Sequence, residues 1–127
     1  MIYHIHMGVP EMENLWQNLK DKISSGNANK NEEKLYKQLG KALYLLSQNP
    51  RHPSLKSHEI TSLTSRYGLK LWESYLENNT PAAGRLFWVY GPKKDDITII
   101  GIEPHPNDNK KNAYKRITLS NIGKIIE

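Results

Sequence analysis

Two runs, Arg85-Leu86-Phe87-Trp88-Val89-Tyr90 and Ile97-Thr98-Ile99-Ile100-Gly101-Ile102-Glu103, decide the reading of the fold. Both are rich in β-branched and aromatic residues and carry a period of two, the pattern of strands. Gly91-Pro92-Lys93-Lys94-Asp95-Asp96 joins them as a hairpin loop longer than a two-residue turn. Leu86, Trp88 and Tyr90 share one face, with Arg85, Phe87 and Val89 on the other. In the second strand Ile97, Ile99 and Gly101 oppose Thr98, Ile100 and Ile102. Pro104 and Pro106 end the sheet around His105.

Working upstream, Leu69, Leu71, Glu73 and Tyr75 alternate with Lys70, Trp72, Ser74 and Leu76, which predicts a third strand. Asn78 to Gly84 has the composition of a turn. Residues 49–58 form a loop with two prolines and several cations. Before it the period lengthens to that of a helix. Met12, Leu15, Trp16, Leu19 and Ile23 form one apolar stripe, and Leu35, Leu39, Ala42, Leu43 and Leu46 a second. Pro10 suits the first turn of helix one, Ser24-Ser25-Gly26 ends it, and Asn49-Pro50 stops helix two. Asn31 is the predicted N-cap of the second helix, with Glu32 and Glu33 in its first turn. Ile2 to Met7 alternates as a short N-terminal strand. The segment through Tyr114 and Ile117 to Ile126 reads as either a short helix or an irregular tail. The expectation is therefore an α+β fold: an N-terminal strand, an antiparallel two-helix hairpin, then a three-stranded antiparallel meander completing a small sheet.

The chain has 127 residues, which predicts a single domain over 1–127, since domains cluster near about 100–150 residues. It contains no cysteine, which excludes a disulfide scaffold, a thiolate metal site and a thiol nucleophile. No run approaches the roughly 18 apolar residues of a membrane span, and no signal peptide is visible, so a soluble cytoplasmic protein is expected. Lys and Arg number 18 against 13 Asp and Glu, a net charge of +5. The excess is clustered. Lys34 to His58 holds Lys34, Lys37, Lys41, Arg51 and Lys56 with no acid, and Lys110, Lys111, Lys115 and Arg116 form a second cluster. A solvated helix face with a basic tail is one reading, and a polyanion partner is the other.

Phosphate-binding glycine loops, the serine-hydrolase elbow and His-Glu-x-x-His are all missing. His4-x-His6 places two imidazoles on one strand face, but no second spaced pair completes a metal site, so no metal or other cofactor is expected. Arg85 begins an otherwise apolar strand. Such a charge must reach solvent, form an ion pair or meet an anion. With His105 near it, the pair would suit metal-free phosphodiester chemistry, Arg stabilising charge and His moving a proton. Tyr114 beside Lys115 and Arg116 offers either a hydroxyl near cations or an anchor for the tail.

These elements in this order resemble the RelE/ParE-type toxins of bacterial toxin–antitoxin modules. The resemblance rests on the helical hairpin, its exit Leu46-Ser47-Gln48-Asn49-Pro50, and Leu55-Lys56 in the loop. It rests further on Gly84-Arg85-Leu86-Phe87-Trp88-Val89-Tyr90 and the apolar strand leading to His105, and it covers roughly residues 2–116. It implies a ribosome-dependent, metal-free mRNA endoribonuclease in which the ribose 2′-OH attacks the adjacent phosphate. Its implied partners are mRNA on the ribosome and a cognate antitoxin. By that resemblance Arg85 contacts the scissile phosphate, His105 and Tyr114 act as acid or base, and Lys56 faces RNA. Arg51, His52, Lys115 and Arg116 extend the RNA-binding surface. The distance from His105 to Tyr114 exceeds the family's usual spacing, and Pro104 and Pro106 flank the histidine. These departures motivate the alternative of a non-catalytic RelE/ParE-like binding module, either a gyrase inhibitor or a degenerate toxin relative with a protein partner.

Overall fold

A computed structural model describes residues 2–8, 10–76 and 84–103. The elements are β1 (His4–Met7), α1 (Pro10–Ser25), α2 (Lys30–Gln48), a 3-10 turn (Pro53–Leu55), β2 (His58–Glu59), α3 (Thr61–Tyr67), β3 (Trp72–Tyr75), β4 (Arg85–Tyr90) and β5 (Asp96–Glu103). The sheet runs β1-β5-β4-β3-β2, with β1 parallel to β5 and the other pairs antiparallel. The α+β class is as the patterning predicts, but the element order differs. A two-residue strand and a seven-residue helix occupy 58–67, between the loop and β3. Two residues are too few for a period, and Thr61-Ser62-Leu63-Thr64-Ser65-Arg66-Tyr67 carries no apolar stripe.

The α1–α2 hairpin covers one face of the sheet. Met12 and Leu19 of α1 and Leu39, Ala42 and Leu46 of α2 are buried against Trp72, Leu86, Trp88, Ile97 and Ile99. Trp16 stacks on Tyr36 at 5.3 Å between ring centroids and ties the two helices together. Gly26, with φ +76, closes α1 in the left-handed region that glycine adopts without a Cβ clash. The cap of α2 is Asn29 rather than Asn31. The Asn29 side chain accepts from Glu32 N at 2.8 Å, and the Glu32 carboxylate accepts from Asn29 N at 3.0 Å. That reciprocal box needs an acceptor three residues after the cap, and Asn31 would find Lys34 there.

The faces of β5 also depart from strict alternation. Phe87 pairs with Gly101 but Trp88 pairs with Ile99, so Ile100 is an extra residue in β5, a bulge. Beyond it the parity reverses. Ile102 joins Ile97 and Ile99 in packing beneath the helices, and Gly101 moves to the opposite face. The opposite face is not bare, for Phe87, Val89 and Ile100 are all at most 1% exposed. Burial of both faces also explains why the alternation around β3 separates no inside from outside.

A short relay of hydrogen bonds pins the loop after α2 to the sheet. Trp88 Nε1 donates to Ser74 Oγ at 2.8 Å, Ser74 and Ser57 share a 2.6 Å contact, and Ser57 Oγ donates to the Pro50 carbonyl at 2.7 Å. Because Ser57 spends its single proton on Pro50, Ser74 is the donor between the two hydroxyls. Replacing Ser74 by Ala leaves the fully buried Trp88 indole without an acceptor. Equilibrium urea unfolding should then show a loss of about 1–3 kcal/mol, whereas the exposed Ser65→Ala should be close to neutral.

Candidate functional site

The polar chemistry converges on three consecutive residues of β3. Trp72 and Ser74 face the helical hairpin, and Glu73 faces the other way. Glu73 is 0% exposed. His58 stands directly opposite it on β2, and His58 Nε2 lies 2.9 Å from Glu73 Oε1. Arg85 stands opposite Tyr75 on β4, one diagonal step away on the same face, and its Nη1 donates to Glu73 Oε2 at 3.1 Å. The Arg85 side chain is only 11% exposed. Of the options open to this arginine, the structure shows an ion pair, placed within the sheet rather than on an edge strand.

His58 Nδ1 lies 2.9 Å from the Lys56 carbonyl, so both ring nitrogens are taken up by acceptors. The arrangement clamps the loop end and β2 onto β3. It does not hold a ring nitrogen ready to shuttle a substrate proton.

On the hairpin side of the same strand, the Arg51 guanidinium carbon lies 4.7 Å from the Trp72 ring centroid. Trp72 stacks on Trp88 at 5.7 Å, and Tyr90 meets Trp88 edge-on at 5.0 Å. Burial pushes the Tyr90 hydroxyl above its ordinary pKa of 10.0, against the opposing pull of Arg51. The loop around Arg51 is locally determined. Asn49 Oδ1 accepts from Arg51 N at 3.0 Å, and His52 Nδ1 caps the 3-10 turn by accepting from Ser54 N at 3.1 Å. Lys56 then turns the chain with φ +48.

Arg51, His52 and Lys56 therefore lie together in one loop, as their closeness in sequence requires. Arg85 is not brought to Arg51. One engages Glu73 and the other Trp72, neighbours on β3 whose side chains leave the sheet in opposite directions. His105, Tyr114, Lys115 and Arg116 lie outside the described residues. Sequence reasoning missed Glu73 as a partner of Arg85 and His58 as a second partner of Glu73. The one available signal was a lone acid in the apolar context of 69–76.

At the far edge of the sheet, the two histidines of β1 take separate partners. His6 Nε2 lies 3.1 Å from Asp96 Oδ1, and His4 Nε2 lies 3.8 Å from Asp95 Oδ2. Among the described residues no group of three or more His, Cys, Asp or Glu could hold a metal ion, and no helix is long and apolar enough to cross a membrane. The hydrogen bond from His6 holds the Asp96 carboxyl below its ordinary value of 3.8, overcoming the opposing effect of burial.

Two predictions follow from this geometry. Arg85→Ala takes a cationic partner from the buried Glu73 carboxylate and should cost roughly 3–5 kcal/mol in urea unfolding. The paired change Arg85→Met/Glu73→Gln removes both charges and should recover most of that loss. For Asp96, a depressed folded-state pKa gives stability that is full above the unfolded value near 3.9 and lost as pH falls through the lower folded value. The Tm difference between the wild type and Asp96→Asn should accordingly be constant near neutrality and close below about pH 4.

Comparison with known proteins finds no family model, no curated protein and no solved structure that matches this chain.

Proposed function

We propose that the chain is a toxin-like protein of the RelE/ParE kind that acts by binding, with RNA as the ligand of its cationic surface and an antitoxin as its protein partner. The observation that carries this reading is the engagement of Arg85. Its Nη1 is on a wholly buried carboxylate, and only 11% of its side chain meets solvent. A group meant to stabilise charge on a scissile phosphate must aim at that phosphate. Exposed cations lie elsewhere, among them Lys37 and Lys41 on α2 and Arg51 and Lys56 in the following loop. Phosphates recognised by such cations release counterions, so affinity for RNA should fall steeply with salt.

The second reading is the ribosome-dependent mRNA endoribonuclease. It is favoured by the sharing of Glu73 between Arg85 and His58, which sets a guanidinium and an imidazole on either side of one carboxylate on one sheet face. In that reaction the 2′-oxygen bonds to phosphorus and the 5′-oxygen leaves, giving a 2′,3′-cyclic phosphate. One group takes the 2′-OH proton and another protonates the leaving 5′-oxygen. His105 and Tyr114 are the groups the resemblance offers, and no metal is needed.

Induced expression at matched levels of folded protein separates the two. The binding reading predicts growth arrest by the wild type and by Arg85→Met/Glu73→Gln, with arrest weakened in Arg51→Gln/Lys56→Gln. Catalysis predicts that arrest, and new mRNA ends on translating ribosomes, disappear in the Arg85 variant.

A further inference from the structure

Four aromatic rings meet at one end of the sheet, on the side of the helical hairpin. Tyr90 is at their centre. Its ring lies 5.0 Å from Trp88 and 6.1 Å from Trp72, edge-on to both, and 5.9 Å from Tyr3. Trp72 and Trp88 stack at 5.7 Å, and the Arg51 guanidinium lies over Trp72 at 4.7 Å. The two tryptophans are buried, whereas Tyr90 is 39% exposed, Tyr3 is half-buried and Arg51 is exposed. Solvent therefore meets a guanidinium and two phenol rings in one patch.

Arg51 differs from Arg85 in what holds it. Arg85 is committed to a buried carboxylate, but among the described residues no carboxylate pairs with Arg51. Its neighbours are the Trp72 ring and the Tyr90 hydroxyl, which feels its charge. Contact with a ring face orients a guanidinium without consuming its N–H donors. Such a group beside exposed rings suits a ligand that brings both a flat π-system and hydrogen-bond acceptors. A nucleobase brings both, and unpaired bases stack on arginine planes and aromatic rings. We infer that the patch of Arg51, Tyr90 and Tyr3 takes one unstacked base of single-stranded RNA. The inference rests on the RNA reading above and specifies the form of RNA, which is held by stacking as well as by its phosphates. Duplex RNA keeps its bases within the helix and cannot offer one. An acidic peptide would answer the charge of Arg51 but leave the rings in water.

The test uses the full chain and isothermal titration with four probes: a five-adenosine RNA, an oligomer with the same phosphates but no bases, an RNA duplex and poly-aspartate. The variants are Arg51→Lys, which keeps the charge and loses the flat guanidinium, and Tyr90→Leu, each checked for an unchanged thermal melt. The expected result is that the adenosine strand binds about tenfold or more tightly than the baseless oligomer, and that both variants remove most of this difference. The indole N–H of Trp72, which has no hydrogen-bond partner among the described residues, reports on the ring beneath Arg51. Its NMR signal should shift as the adenosine strand saturates the chain. Equal binding of the two oligomers would overturn this inference alone, leaving RNA held by its phosphates. Binding by neither would overturn the RNA reading with it. A base preference that survives in both variants would also overturn the inference, as would duplex or poly-aspartate binding as tightly as the adenosine strand.

Discussion

A carboxylate withdrawn completely from water is the constraint on which this structure turns. Burying a lone carboxylate is expensive, so Glu73 obliges the fold to bring cationic or hydrogen-bonding partners to it. Arg85 comes from β4 and His58 from β2, on either side of β3. Both partners approach through the ordinary register of an antiparallel sheet, one directly opposite and one diagonal. The same carboxylate thus fixes the position of the two-residue strand β2, which has too few ladder hydrogen bonds to hold itself. Through His58 and the Lys56 carbonyl, it also sets the end of the loop that follows α2.

The residues beside Glu73 organise the opposite face. Ser74 links Trp88 to Ser57 and Pro50, anchoring the other end of that loop, and Trp72 supports Arg51. A strand of four residues therefore distributes the polar chemistry to two sides of the sheet. Arg51 and Arg85, which the resemblance assigns to one RNA-facing surface, are parted by the pleat of β3. This is why Arg85 is a clamp in the described arrangement, while Arg51 rests on Trp72 on the side of the helical hairpin.

Much of this fold was legible because its strongest signals are periodic. The stripes of α1 and α2 supply Met12, Leu19, Leu39, Ala42 and Leu46 to the core, and the alternation of β4 places Leu86 and Trp88 there. Features that depend on one residue rather than a repeat were not legible. The bulge at Ile100 reverses the faces of Gly101 and Ile102 without any mark in composition. The cap at Asn29 is recognisable only when Glu32 is counted back to it, and both Asn29 and Asn31 are competent cap residues. β2 and α3 owe their existence to tertiary pairing. For the site, the sequence showed that Arg85 needed an anion but not which one, because Glu73 reaches it only through strand register.

The most direct test of the account follows the Arg85 guanidinium itself while RNA binds. Side-chain Nε–H signals of Arg85 and Arg51, with the ammonium signals of Lys37 and Lys41, can be followed by NMR during titration with a five-nucleotide RNA. The account predicts that Arg51 and the two lysines shift with saturation while Arg85 stays in place on Glu73. A large Arg85 shift with the α2 lysines unmoved would contradict it, and would place the phosphate at the strand arginine.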